Sequence, residues 1–527
     1  MDLLTNIHKE HIHGILSCFD RVVITGTLPQ ISYAGGITSY LYNKGIRIFD
    51  YPKFAEPFRD AVRSNAEKLA KDNDIEIEFV AKSHVRKEDI VKKVLEKRGN
   101  QPGLVHILSA MEACSSYRPW HDKSTGKTFL RGSQSKCLHY YFYFIDPYLG
   151  FGYIRVPTWC PFKLQVYFNG HNILANELDK QGIKYSMIDN AFDFIEDFEK
   201  AQSLADKIDI RKIHAKLDKL SQIYCPVHQE FEQPYRWSIM QAEYATDIVF
   251  KQQKYLQSIY TELVTTAIHT VKPDNVATFL SRKVDPKYQG EIGNNYNVRI
   301  EGSRIKHSMG KSSIKMYDKF SKILRIETTT NDVSFFKHYR EVVHRDGTKS
   351  NKFAPLKRNI YSLIPLAILF KAANRRYLEY ISTFDIQEAG HKRLDKVTRS
   401  KQQNNRTYKG INFFSQEDLA LFLVILRGEY NIAGFRNKDL RKRLPGYNTG
   451  KVSRLLKRLH VFGIIKKAAK SYRYYLTKLG KELVVTAERL KATVLIPSLN
   501  YESTPTTPPL SKKKRLKRIY CASIKKE

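Results

Sequence analysis

Between Phe413 and Lys491 the hydrophobic period changes repeatedly over a short stretch, and few folds accommodate that succession. Ser415 stands where a helix N-cap is needed, with Asp418 three positions on. The apolar helix Leu419–Leu426 follows and stops near Gly428. A short second helix, Lys438–Leu444, is ended by Pro445-Gly446, and Thr449 is expected to cap a third, Lys451–His460. On the third helix Val452, Leu455, Leu456 and Leu459 share one face, while Lys451, Ser453, Arg454, Lys457 and Arg458 fall toward the others. Such a helix packs one side on its domain and offers arginine and lysine to a major groove. After Gly463, Ile464–Lys467 and Tyr472–Leu476 read as two short strands around a polar turn, and Thr477–Gly480 opens a last helix, Lys481–Lys491.

This order of elements, with the phrase LHVFGIIKK and the junction YRYYLTKLGKELV, resembles the winged helix of MarR-like regulators. The resemblance implies a winged-helix fold and binding to double-stranded DNA, with 451–460 as the reading helix and Lys466, Lys467, Lys470 and Arg473 near the wing. The expected DNA contacts are these four and Thr449, Lys451, Ser453, Arg454, Lys457 and Arg458. No small-molecule effector is implied, because the flanking dimerisation helices of MarR proteins are not evident; a homodimer is possible. Elsewhere CFDRVVITGTLP, GIRIFDYPKFAEP, KCLHYYFYFID and IKMYDKFSKILRIETTTND resemble a broad uncharacterised prokaryotic family, a likeness that carries no mechanism.

Charge agrees with a nucleic-acid partner. The 527 residues include 89 Lys+Arg against 53 Asp+Glu, a formal net charge of +36. An excess of that size repels itself unless a polyanion or counterions screen it. The six cysteines show no CxxC spacing, so neither a disulfide framework nor a zinc ribbon is expected. Cys225-Pro-Val-His228 lacks a second ligand pair. The opening MDLLTNIHKEHIHG lacks the charge and apolar pattern of a signal peptide. The longest apolar stretch, Leu363–Phe370, is short and contains Pro365. A cytoplasmic protein without a membrane partner is expected.

The chain reads as α+β and multidomain. An α/β domain is expected over 1–205, a helical region over 206–290, and an antiparallel meander plus helices over 291–391. A polar linker over 392–410, a winged-helix domain over 411–497 and a disordered basic tail over 498–527, containing Lys512–Arg518, complete it. In the first domain Asp20–Thr25, Ile75–Val80 and Gly103–Met111 read as strands. Leu138–Ile145 and Phe151–Val156 flank a hairpin turn, and Leu164–Gln181 and Ala191–Ile208 read as helices. Met240–Thr270 reads as the longest helix. Val298–Glu301, Arg304–His307, Ser313–Tyr317 and Ile323–Thr328 form the meander. The aromatic run Tyr140–Phe144 reads as sheet core.

Two constellations carry chemistry. Asp20, Glu112 and Glu327 sit on or beside strands, as do the carboxylates with which ribonuclease-H-type nucleases and transposases hold two metal ions. The string K-M-Y-D-K around Tyr317, followed by L-R-I-E with Glu327, faintly resembles replication initiators that nick DNA with a tyrosine, leaving a 5′-phosphotyrosine. Such enzymes also use a His-apolar-His pair, which His11-Ile-His13 offers at a position that reads equally well as a helix start. Two functions follow as expectations. One is a sequence-specific DNA binder such as a transcription regulator. The other is a mobile-element or replication protein, a transposase-like or nicking nuclease dependent on Mg2+ or Mn2+, with the winged helix selecting the site.

Overall fold

The computed structural model describes residues 3–82, 84–231, 233–284, 288, 290–299, 302–382, 394–468, 471–492 and 496. The tail expected over 498–527 and Lys470 lie outside the described residues. Two compact units are present, Met1–Phe384 and Asp385–Glu527.

The first unit is mixed α/β, built on one large sheet. Its strands are β1 (Ile12–Thr27), β2 (Ile77–Phe79), β3 (Gly103–Asp122), β4 (Lys127–Asp146), β5 (Gly150–Pro157) and β6 (Leu164–Phe168). A separate small hairpin follows, β7 (Tyr185–Ile188) and β8 (Ala191–Ile195). The large sheet resumes with β9 (Arg236–Phe250), β10 (Ile292–Arg299), β11 (Gly302–Met309), β12 (Ser312–Lys319) and β13 (Ile323–Thr330). The order is β10-β11-β12-β13-β9-β1-β6-β5-β4-β3-β2, antiparallel except for the β2–β3 pair. The meander is therefore not a sheet of its own. It is one flank of the large sheet, joined through β9 to β1.

One face of the sheet centre carries the main apolar core, in which Phe19, Tyr244, Ile326 and Met316 are buried. The helix Leu363–Ile381 closes that face against β9 and β13. It buries Leu366, Phe370, Ala373, Tyr377 and Ile381, the spacing of an apolar helical stripe. Phe370 is fully buried, so truncation to alanine is expected to cost ~3–5 kcal/mol. Within this core Asn374 donates to Thr246 Oγ1 at 3.1 Å and accepts from Thr328 Oγ1 at 2.6 Å, which ties the helix to both strands. On the opposite face the helices Gly170–Lys180 and Phe198–Asp206 pack against β1 over Leu16 and Cys18.

Three helix expectations require correction. Leu164–Phe168 is β6, with Leu164, Val166 and Phe168 buried in alternation, and the helix begins only at Gly170, capped by Asn169. Ala191–Ile195 is β8, and Asp197 caps the helix that follows it. Most consequentially, Arg236–Phe250 is a central strand, and the helix begins at Gln253. Every residue from Tyr244 to Phe250 is buried, and a strand buried on both faces loses the alternation that marks strands in sequence. The helical middle thus supplies the strand that unites the sheet. The aromatic run Tyr140–Phe144 is core, all five residues being buried.

Beyond β13 a hairpin of β14 (Lys337–Val343) and β15 (Lys349–Pro355) pairs only with itself. In the second unit the polar stretch expected as a linker carries a short hairpin, β16 (Lys401–Gln403) with β17 (Arg406–Tyr408), and Val397 is buried in that unit's core. Helices follow at Gln416–Ile425, Gly428–Ala433, Asn437–Arg441 and Thr449–Val461. The hairpin β18 (Ile465–Lys467) with β19 (Tyr474–Leu476) and the helix Lys478–Leu490 complete the unit. Ser415 and Thr477 cap as their positions demand, accepting from the backbone N–H of Asp418 and Gly480. The third of the expected helices is capped by Asn448 rather than Thr449, its side chain accepting from the Lys451 N–H. Among the described residues no helix is long and apolar enough to cross a membrane.

Candidate active site

Strands β12, β13, β9 and β1 lie side by side, and the face opposite the main core is charged where they meet. Register sets the arrangement. Tyr317, Arg325 and Asp247 form one row across β12, β13 and β9, while Lys315, Glu327, Ala245 and Cys18 form the next and continue onto β1. Glu243 stands in the third row, opposite Thr329. On its other side Phe19 pairs with Tyr244 and Val22 with Ala242, so that Asp20 and Arg21 together oppose Glu243. Two residues facing one is a β-bulge, a device that re-aims side chains. Here it turns Asp20 toward the carboxylates of the neighbouring strands.

The result is a cluster of Asp20, Glu243 and Glu327 whose carboxylate oxygens lie within 4.8 Å of one another. Ala245, between Glu327 and Cys18 in register, presents only a methyl group at its centre. The Tyr317 hydroxyl donates to Glu327 Oε2 at 2.7 Å, Thr329 Oγ1 donates to Oε1 at 3.1 Å, and Lys315 Nζ lies 2.5 Å from Oε1. Lys315 also stands 3.8 Å from Glu243, to which Gln241 donates at 2.8 Å.

A second layer fixes the first. The fully buried Arg325 grips Asp247 through Nε and Nη2, both at 2.6 Å, and reaches Asp20 Oδ2 with Nη1 at 3.3 Å. Asn190 and Asn169 donate to Asp20 Oδ1 at 2.6 and 3.1 Å, and His171 Nδ1 lies 3.3 Å from the same oxygen. Buried charges are tolerated only when paired and hydrogen-bonded in this way.

The electrostatics separate the three acids. Burial works against ionising Asp20, but Arg325 and His171 outweigh it and hold its pKa well below the ordinary carboxylate range. Burial is likewise overcome at Glu327 by Lys315, and that pKa is lowered. At Glu243 burial first, and then the charge of Glu327, outweigh the more distant Lys315 and push its pKa up to about 7. The Tyr317 phenol is raised well above its usual value by burial and by Glu327, so it stands as the protonated donor. Asp20, Asp247, Glu243 and Glu327 face Arg325, Lys315 and His171, with Lys319 also acting on Asp20, and Glu243 is the acid of the cluster whose proton is held most readily. Three hard oxygen ligands on three rigid strands suit Mg2+ or Mn2+.

Of the sequence candidates, Asp20, Glu327 and Tyr317 are brought together here. Glu112 is not. It lies on β3, four strands from β1, hence about 19 Å away at ~4.8 Å per strand. There it is held by Lys87 at 2.9 Å, Arg155 at 2.8 Å and Tyr141 at 2.7 Å. Glu243 occupies the third position, and the sequence missed it because its strand read as a helix. The His11/His13 pair does not converge on the cluster, since His11 stacks on Tyr255 at 4.0 Å and His13 on Phe194 at 5.1 Å.

In the second unit the helix Thr449–Val461 buries Val452, Leu456 and Leu459 and leaves Thr449, Ser453, Arg454 and Lys457 exposed. Ser453 Oγ accepts from Asn437 at 2.8 Å, and Lys451 lies 3.1 Å from Glu417 and 4.1 Å from the Tyr447 ring centre. Arg458 is committed within the unit. It donates to both carboxylate oxygens of the buried Asp418 at 2.8 and 2.9 Å and to the carbonyls of Lys409 and Gly410. An arginine held by four acceptors holds the unit together from within, unlike the exposed Arg454 and Lys457. On the hairpin Lys466 and Lys467 are exposed, Lys467 lying over Tyr472, and Arg473 donates to the Ala433 carbonyl. No protein-family model, curated protein or solved structure matches the chain.

Proposed function

We propose that this protein is a Mg2+- or Mn2+-dependent DNA-nicking enzyme of the mobile-element or replication type, with Tyr317 as nucleophile. The observation that carries the reading is the convergence of Asp20, Glu243 and Glu327 from three adjacent strands, with the Tyr317 hydroxyl already donating to Glu327. Asp20, Glu243 and Glu327 would hold the metal ion, which supplies positive charge to the scissile phosphate. Tyr317 Oη forms a bond to phosphorus, its proton passing to the carboxylate it donates to. The bond from phosphorus to the 3′ oxygen breaks, and that oxygen leaves as a hydroxyl after taking up a proton. A 5′-phosphotyrosine remains, and the reverse attack reseals the strand.

The second unit is read as a MarR-like winged helix that chooses the duplex. The order of helices, hairpin and final helix supports this, as do exposed Arg454 and Lys457 on one helix and exposed Lys466 and Lys467 on the hairpin. The net charge of +36 gives the phosphate attraction such binding needs.

The test is relaxation of a supercoiled plasmid with Mg2+ or Mn2+, followed by denaturing electrophoresis for protein joined to DNA. Expected are nicked product and a covalent adduct, both lost in Tyr317→Phe. Nicking that persists in Tyr317→Phe would remove the tyrosine from the chemistry and leave a water nucleophile. Absence of any metal-dependent nicking by the wild type on plasmids carrying its binding site would overturn the reading.

A further inference from the structure

The hairpin β14–β15 presents two large aromatic rings to solvent, side by side. Tyr339 and Phe353 are direct cross-strand partners, 65% and 63% exposed. Cross-strand partners lie about 5 Å apart at Cβ and normally stabilise a sheet by packing under something. Paired aromatics left in water are uncommon and mark an interaction surface. The reverse face of the hairpin is different, for there Ala354 is buried. The hairpin is therefore seated at its base, by Ala354, while the ring pair beside it faces water.

Charge says what such a surface takes. Lys337 and Lys349 stand at the two ends of the aromatic face and Lys352 on the reverse, all exposed. The acid on the aromatic face, Glu341, is paired with Lys349 at 3.3 Å. Flat aromatic rings bordered by lysines fit unpaired bases on an anionic backbone, because every base has a face to stack and every linkage a phosphate to neutralise. The same face exposes Val343 as well, so it is the lysines, Lys337 above all, and not the apolar area that favour an anionic strand over an apolar protein partner.

The hairpin is also rooted in the strands that carry the site. β13, which carries Glu327, runs through the turn Val333–Phe335 directly into β14. On the return the Ile239 N–H donates to the Arg358 carbonyl at 2.7 Å, and Asn359 bridges to Ser238 at the start of β9, the strand of Glu243. Ser238 is five residues from Glu243, about 17 Å along an extended strand.

We propose that Tyr339 and Phe353 form a base-stacking platform for the single strand of DNA next to the nick. This rests on the nicking reading for its place in the reaction, but its binding test needs no catalysis. Fluorescence anisotropy with a labelled single-stranded oligonucleotide and with a duplex of equal length, both without metal, would compare wild type, Tyr339→Ala/Phe353→Ala and Tyr339→Trp/Phe353→Trp. Expected is about tenfold or greater weakening for the single strand in the alanine variant, no loss in the tryptophan variant, and duplex affinity unchanged. Both rings are exposed, so thermal unfolding of the variants should match wild type. Unchanged single-strand affinity in the folded alanine variant, or equal loss for both DNAs, overturns the proposal. Should the alanine variant bind single strands weakly while the wild type nicks nothing, the platform stands and the nicking reading fails.

Discussion

The charged patch of the first unit and the basic helix of the second solve opposite problems. Asp20, Glu243 and Glu327 are buried or half-buried and come from three strands distant in sequence; Asp20 is held by Arg325, His171 and two asparagines, and the two glutamates by Lys315, Tyr317, Thr329 and Gln241. Arg454 and Lys457 are exposed, adjacent on one helix, and have solvent in front of them. A catalytic constellation must hold its geometry before the substrate arrives, so it needs rigid elements and a supporting shell. A phosphate- or base-reading side chain gains from reach and free charge, and a single amphipathic helix suffices. Within the basic helix the same division recurs: Arg458 is locked to Asp418, Arg454 is not.

The sharpest way to break this comparison is Tyr317→Phe, which is expected to abolish the covalent protein–DNA adduct while leaving the fold intact, since it removes one hydroxyl at a half-buried position. Circular dichroism and plasmid relaxation on the same sample check both halves. Next in size is Arg325→Met. It removes the cation that Asp20 and Asp247 share, and leaving buried acids without a partner is expected to lower stability by ~3–5 kcal/mol in denaturant titration. A loss under 1 kcal/mol would mean that the supporting shell is not electrostatic.

The two arginines of the basic helix provide a matched pair. Arg458→Ala is expected to cost about 3 kcal/mol of stability in the second unit, because Asp418 is left buried and uncompensated. Arg454→Ala should change stability by less than ~0.5 kcal/mol yet weaken a specific duplex site by ~1–3 kcal/mol if it makes a bidentate base contact. The reverse pattern would exchange their roles.

The smallest effect is on pH. Glu243 has its folded pKa raised to about 7 from the ordinary 4.5, so its protonated form favours the fold. That contribution is fully present below about pH 4.5 and is lost as pH rises toward and through about 7. Metal binding runs the other way, since the ion must displace that proton and binds more tightly as pH rises to about 7. Glu243→Gln should flatten the stability slope in this window, as followed by thermal unfolding from pH 4 to 8.

The helices of the second unit were legible because their signals are local: caps at Ser415 and Thr477 on the helices either side of the basic one, an apolar stripe at helical spacing on the basic helix itself, a turn at Pro445-Gly446 before it; only its cap fell one residue early, on Asn448. Three of the meander strands, β11, β12 and β13, were legible for the same reason, each being short and ended by a turn; the first runs over Ile292–Arg299, ahead of the expected Val298–Glu301, because its polar run Gly293–Asn295 hides it. The site was only partly legible. Tyr317 and Glu327 lie on strands with clear ends; Asp20 was expected at the start of a strand Asp20–Thr25 but lies inside the longer β1, Ile12–Thr27, and Glu243 lies on a strand buried on both faces, where periodicity cannot distinguish strand from helix. No local pattern tells that β9 inserts between β13 and β1, or that a bulge turns Asp20 toward Glu243, because both depend on pairing across distant segments. Glu112 was drawn in by the same gap: a strand acid looks alike whether its neighbour is a carboxylate or, as here, Lys87 and Arg155.

The most direct measurement is Mn2+ binding to the full-length protein, followed by electron paramagnetic resonance at pH 8. The wild type should bind Mn2+ and lose at least tenfold in affinity in Asp20→Asn and in Glu327→Gln, with Glu112→Gln unaffected. Mn2+ binding unchanged by Asp20→Asn and Glu327→Gln would contradict the assignment of these strands as the metal centre.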